Sequence, residues 1–399
     1  MSILYISYDG LLEPLGQSQV FQYLRNLSAS HEIVLVTFEK HSDWNNLDLR
    51  KRLLEETKRA KIRWVPLTYH SKPPILSTFF DLAVGSIVCS YLLLRYQTAI
   101  IHVRGYPPAV IGLGLKLVFR KRFIFDMRGF WADEKVDFQV WSRNNVIYSI
   151  AKWFESKFLI HADTVVSLTN EAVEIMKKLP YLKSRITRFE VIPTCANLDL
   201  FQPSKPNPEN ENANHPFFVL GHVGSVTWSL FDEVLKCFKI FREIRSDARM
   251  LILNIEAHAY IKDRLIANNI SDKIIDVRGT SYSQMPNELI KLDAAIFFIK
   301  PTFSKKASAA TKLGELLACG IPCLTLAGMR DTEEIIENEN VGVVLRELTP
   351  QSQKKALNKL LKLKEDPDTK ARCIQAAQKY FSLEKGVGAY DKIYRSLKR

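Results

Sequence analysis

Residues 295–325 read AIFFIKPTFSKKASAATKLGELLACGIPCLT. The segment opens on a strand-like apolar run, crosses a loop of small, hydroxyl and basic residues, and turns helical near Ser308. Gly320 closes the helix, and Pro322 sits in the turn before another apolar run, as in a parallel α/β unit. A helix N-terminus offers unpaired N–H groups and partial positive charge, which suits a phosphate. Ser308, Ala309 and Ala310 are small enough for a phosphate to approach the backbone; Thr311 follows, and Lys305, Lys306 and Lys312 supply charge. Glu315 lies one turn along the face of Lys312, at the height where a carboxylate accepts ribose hydroxyls. The combination fits a nucleoside diphosphate. An ordinary strand–loop–helix with a solvated basic loop, and an exposed Glu315–Lys312 pair, is the competing reading.

The same alternation extends outward through the chain. In the first half, apolar runs at 3–7, 33–38, 100–103, 123–125, 164–168 and 189–192 are separated by amphipathic helical stretches. A proline- and asparagine-rich stretch at 202–216 has no apolar periodicity and reads as a linker. Strand runs then resume at 217–222, 250–255, 273–277, 294–298, 322–326 and 343–345. This predicts an α/β chain of two Rossmann-like domains, 1–201 and 217–383. A last helix, within 384–399, is expected to return to the first domain. Ligands of such sheets bind at the carboxyl ends of strands, so an interdomain cleft is the expected site.

At 399 residues the chain exceeds one core, and its 47% hydrophobic and 25% charged content is that of a globular protein. A net charge of +13 favours anionic partners without choosing among them. The six cysteines form no short-spaced framework, which points to a reducing compartment. Cys319 and Cys323 bracket a helix end without histidines at ligand spacing and read as core rather than zinc ligands. Met1 leads straight into a strand, so no secretory leader is expected. The segment 75–94 has the length of a membrane span but carries Asp81 and several serines. It reads better as a buried or interfacial helix.

Several landmarks, in order, resemble the family 4 retaining glycosyltransferases of the GT-B fold, in particular a polysaccharide-assembly branch. They are YDGLLEPLGQSQV at the first strand–loop–helix, DMRGFWADE at 126–134, VIPTCANLDLF at 191–201, GHVGSVTWSLFDEVLKCF opening the second domain, and TKLGELLACGIPCL. The resemblance implies two Rossmann-like domains facing across a cleft, a nucleotide-sugar donor, retention of anomeric configuration, and no cofactor. It also implies donor contacts from Gly16 in the first loop and from Gly224 and Ser225 in the second domain. Two departures stand out. Ala307 occupies the place of the first of a pair of glutamates of which Glu315 is the second. The stretch 228–233 also lacks the usual diphosphate-binding arginine, which leaves the cation role to Lys300, Lys305, Lys306 or Lys312.

Stabilising a departing diphosphate is an electrostatic task that a helix N-terminus and lysines can perform without a metal. No acidic metal cluster stands out, since Asp133 and Glu134 are adjacent but alone. Asp126 and Arg128 follow the strand 123–125 and should emerge at its carboxyl end. Arg128 can meet a phosphate bidentately, and Asp126 can orient it or receive the acceptor's proton; a purely structural ion pair is the alternative. Together with Lys312 they are the expected catalytic groups. Gln17, His102, Arg104 and Trp131 are candidates on the acceptor side.

Arg95, Arg104, Lys116, Arg120, Lys121 and Arg122 interleave with apolar helices, a pattern suited to an acidic membrane face carrying a lipid-linked acceptor. The expected place is therefore the cytoplasm, peripheral on the inner face of the membrane. Two other functions share the expected fold: a nucleotide-sugar epimerase, and a degenerate homologue that binds a donor or partner without turnover. Nucleic-acid binding is disfavoured because no aromatic residues interleave with the basic run in a recognisable module.

Overall fold

Each of those apolar runs becomes a strand in the computed structural model, which describes residues 2–183, 187–202, 216–226 and 229–398. Two parallel sheets form. The first contains β1 (Ser2–Ser7), β2 (Glu32–Glu39), β3 (Arg63–Thr68), β4 (Ile100–Arg104), β5 (Arg122–Asp126), β6 (Thr164–Ser167) and β7 (Phe189–Val191). Its order is β3-β2-β1-β4-β5-β6-β7. The second contains β8 (Val219–Val223), β9 (Arg249–Leu253), β10 (Ile275–Arg278), β11 (Ala294–Phe297), β12 (Cys323–Leu326) and β13 (Gly342–Leu345), ordered β10-β9-β8-β11-β12-β13. Strand order reverses beside β1 and beside β8. At such a switch point the loops diverge and leave a crevice at the carboxyl ends of the strands.

The chain divides into two compact units. Met1–Pro193, Lys306–Ser308 and Leu383–Arg399 form the first; Thr194–Lys305 and Ala309–Ser382 form the second. The crossing comes at Pro193, short of 201, because Ala196 N donates to Phe381 O at 2.8 Å and Phe201 is buried in the second unit's core. The stretch read as a linker, 202–216, lies outside the described residues except at its two ends.

β3 escapes a sequence reading because Pro66 interrupts it; it is an edge strand, where the missing N–H is tolerated. The last helix, Leu383–Ser396, packs within the first unit, with His31 Nε2 2.7 Å from Asp391 Oδ1. The segment expected to be buried or interfacial is the helix Pro74–Arg95, which keeps one side on the sheet and exposes the other. All six cysteines are free and buried, and among the described residues no group of three His, Cys, Asp or Glu side chains is placed to hold a metal ion.

Candidate functional site

In the first unit, strand register places Ser7 beside Arg104 and Arg104 beside Asp126, one row at the carboxyl edge of β1, β4 and β5. Asp126 has no exposed surface. Tyr390, from the last helix, donates to its Oδ2 at 2.8 Å. Arg128 Nη1 lies 3.7 Å from Oδ1, while Arg104 Nη1 and His102 Nε2 lie 3.8 and 3.9 Å from Oδ2. These separations allow ion pairing but no direct hydrogen bond, and Asp126 Oδ1, Arg104 Nε and His102 Nε2 are buried without hydrogen-bond partners. Burial alone would raise the Asp126 pKa. Arg128, His102 and Arg104 outweigh it and hold the carboxyl at about 2.

This arrangement narrows the roles read from sequence. Asp126 is sealed from solvent, so it orients Arg128 rather than taking a proton from an acceptor. Arg128 keeps some exposure and adopts φ 60°, a left-handed conformation uncommon for a side-chain-bearing residue. His102 and Arg104 are 1% and 5% exposed, too deep for the acceptor contact expected of them. His102 Nδ1 meets the Tyr394 hydroxyl at 2.7 Å, and burial lowers its pKa, so the ring is a neutral interior group behind Asp126. Trp131 opens the helix Trp131–Asp137 and packs against Tyr106 and Trp141, at ring separations of 5.5 and 5.1 Å. Asp133 is tied to Tyr148 and Lys152.

The first loop is set by a residue that carried no sequence signal. Glu39, buried at the end of β2, accepts from Leu11 N at 2.7 Å and Leu12 N at 3.1 Å. Gln17 Nε2 donates back to Leu12 O at 3.0 Å. Gly16 is buried, and a Cβ there would stand 1.9 Å from the Gly10 carbonyl oxygen. Its missing side chain is therefore required by the loop's own packing rather than by a phosphate. Gly16→Ala should destabilise the protein by about 1–3 kcal/mol, read as a lower urea midpoint.

In the second unit, Gly224 follows β8 with φ +107°, where glycine is needed, and its carbonyl accepts from Asn254 Nδ2 at 2.9 Å. Ser225 is exposed on the same turn. A Cβ on Gly224 would lie 3.8 Å from Lys312 Cγ, so this turn faces the helix Thr311–Ala318. That helix begins at Thr311 rather than near Ser308, because Phe303–Ala307 winds as a 3-10 turn first. Ala310 occupies its cap with no side-chain bond, which leaves first-turn N–H groups for water or a ligand. Lys312 Nζ lies 3.0 Å from Glu315 Oε2, and the Glu315 side chain is 2% exposed. The exposed surface pair weighed from sequence is thus a pair with its carboxylate buried. Burial raises the Glu315 pKa against the opposing charge of Lys312.

The remaining expected donor residues divide. Lys305, Ala309 and Ala310 belong with the second unit, Lys306 and Ser308 with the first. Lys306 Nζ pairs with Glu171 at 3.1 Å. Ala307 is fully buried in the first unit's apolar cluster. A glutamate there would strand a carboxylate among apolar side chains, which accounts for alanine at this position. Sequence reasoning also missed Asn254, which braces the Gly224 turn, and Glu333, whose Oε1 accepts from Gly328 N and Met329 N at 2.6 and 3.0 Å.

Residues 205–380 match the model of the family described as glycosyl transferases group 1. Over that span the chain resembles the group 1 glycosyl transferases. A search of curated proteins gives no significant match. Among solved structures, this chain resembles sucrose-phosphate synthase from Thermosynechococcus elongatus, with TM-score 0.75, 14% identity, and coverage of 100% of this chain and 99% of the other. It also resembles a glycosyltransferase from Rickettsia africae, with TM-score 0.71, 16% identity, and coverage of 100% and 98%. HepE of Anabaena, in complex with UDP-glucose, gives TM-score 0.71, 12% identity, and coverage of 99% and 100%. At these identities the likeness is one of fold, two Rossmann-like units of GT-B type.

Proposed function

We propose that this protein is a glycosyltransferase that moves a sugar from a nucleoside-diphosphate donor to a saccharide or lipid-linked acceptor in surface polysaccharide assembly, retaining anomeric configuration and using no metal. The observation that carries the reading is the start of the helix Thr311–Ala318. Uncapped N–H groups, the Lys312 ammonium and the open Gly224 turn converge there, with a buried carboxylate one turn deeper. The N–H groups and Lys312 would take the diphosphate, and Glu315 the ribose. UDP and UDP-glucose, present in the HepE complexes, are the first donors to try.

Arg128, aimed by Asp126, is the first unit's contact for a phosphate of donor or acceptor. With retention, the acceptor hydroxyl attacks on the leaving-group side, and the departing phosphate oxygen accepts its proton. Breaking the sugar–phosphate bond then needs no separate protein base, in keeping with an Asp126 sealed from solvent. The protein would work in the cytoplasm against a membrane-linked acceptor.

A thermal-shift panel of nucleotide sugars tests the donor site. A ligand at 100 times its Kd should add about 2.7 kcal/mol of stability. Stabilisation by one donor, with sugar transfer only when acceptor is added, supports the proposal. Turnover of that donor without acceptor would identify an epimerase instead, and no response at millimolar concentration would sink the donor site.

A further inference from the structure

The first unit carries an apolar face that its own fold does not use. Helix Pro74–Arg95 packs against Tyr106–Phe119, which packs against Val146–His161. More than half of the exposed large apolar side chains among the described residues lie on these three helices. Ile75, Leu76, Phe79, Phe80, Ile87 and Tyr91 follow helical spacing, with Phe79 73% and Ile87 72% exposed. Leu117 and Val118 on the second helix, and Val146, Ile150 and Trp153 on the third, extend the patch. Scattered apolar side chains need no explanation, but a continuous patch does.

The inner side of the first helix shows how it lies. Asp81, 1% exposed, accepts from Tyr8 Oη at 3.1 Å and His70 N at 3.0 Å, and stands 2.6 Å from His70 Nδ1. Gly85 fits so closely that a Cβ would come within 2.8 Å of Ile111 and 2.9 Å of Phe38. Crossing a bilayer would strip these contacts away and carry Asp81 into hydrocarbon. A helix fixed along one side, with the other side apolar for about 30 Å, is built to lie flat.

Charge identifies the occupant. The only acidic residues on the three helices, Asp81 and Glu155, are both buried. Of the basic residues on or directly after these helices, Lys116 and Arg122 pair with Asp163, and Lys152 with Asp133 and Glu155, which leaves the charges of Arg95, Arg120, Lys121 and Lys157 to face outward. A second protein copy offering this same face would bring like charges together, whereas an acidic lipid surface complements them.

We propose that this face lies in the headgroup–acyl boundary of an acidic membrane, with helix Pro74–Arg95 parallel to the bilayer plane. The full chain should co-sediment at low salt with phosphatidylcholine vesicles containing phosphatidylglycerol, and much less with phosphatidylcholine alone. Phe79→Ser with Ile87→Ser should weaken binding at least roughly tenfold. Arg95→Glu and Lys121→Glu should each weaken it about fivefold or more, with steep salt dependence. None of these side chains is in the core, so melting temperature and response to nucleotide sugar should be unchanged. No binding to acidic vesicles at low salt overturns the proposal. So does equal binding by wild type and the Phe79/Ile87 variant, or a soluble dimer that the same variant dissociates. Vesicle binding involves no nucleotide sugar, so its failure would leave the transferase reading standing.

Discussion

Asp126→Asn is expected to destabilise the first unit by about 3–5 kcal/mol, because it leaves the buried Arg104 charge and the partly buried Arg128 charge facing a neutral amide. The pH dependence separates this electrostatic role from a packing one. Asp126 has its pKa lowered from 3.8 to about 2 in the fold. Its ionised form thus stabilises the protein fully above the unfolded value, and that contribution is lost as pH falls through 3.8 towards 2. The gap between wild type and Asp126→Asn should be full near neutral pH and shrink by on the order of 2 kcal/mol across that window. Urea unfolding at stepped pH measures it, and a constant gap would sink the electrostatic account. Transfer should also fall on the order of 100-fold through kcat, since a misaimed Arg128 loses its near-attack geometry. The thermal shift given by the donor should persist. Tyr390→Phe removes one hydrogen bond and leaves both arginine neighbours, so it should cost only about 1–3 kcal/mol.

The neighbourhood of Asp126 also shows where sequence stops being informative. Two doubly wound sheets are legible in short apolar runs spaced by amphipathic stretches, because burial on both faces forces that composition on a parallel strand. Asp126 and Arg128 are legible as strand-end residues. Tyr390 and Tyr394, more than 260 positions away along the chain, are not, since they read as one more amphipathic helix. The same limit hides Asn254 and Glu39. Each is a lone polar residue at a strand end, and its task of bracing a loop exists only once the loop has folded beside it. Gly16 shows the converse error. Its position after a strand resembles a phosphate loop, yet the carbonyl of Gly10 fills the space where a side chain would go. Ala307 looks like a missing catalytic group in a linear motif and is an apolar core residue in three dimensions. The three-helix face was legible in part, because a 22-residue apolar helix is visible in sequence but its exposed side is not.

Glu315→Gln is the variant that separates function from stability most sharply. A buried carboxylate that only held the fold together would lower the melting temperature when removed. Glu315 has a pKa raised by burial above its usual value of 4.5. Its contribution to stability is therefore fully present below that unfolded value and is lost as pH rises through the higher folded value. At neutral pH, with no ligand, the ionised side chain is a net cost that Lys312 offsets in part. Glu315→Gln should leave the melting temperature of the free protein unchanged or raise it, and the difference should vanish below pH 4.5. Donor binding should move the opposite way. Hydrogen bonds between ribose hydroxyls and a carboxylate, at about 1.5–3 kcal/mol, correspond to roughly 10- to 100-fold weaker binding in the variant. Titration calorimetry with the donor found in the thermal-shift panel measures both the weakening and its origin. Free nucleoside diphosphate should lose as much affinity as the nucleotide sugar, because the contact is to ribose. Loss confined to the nucleotide sugar would place Glu315 at the sugar instead. A lower melting temperature with donor affinity intact would make the residue structural and move the ribose contact elsewhere on the second unit.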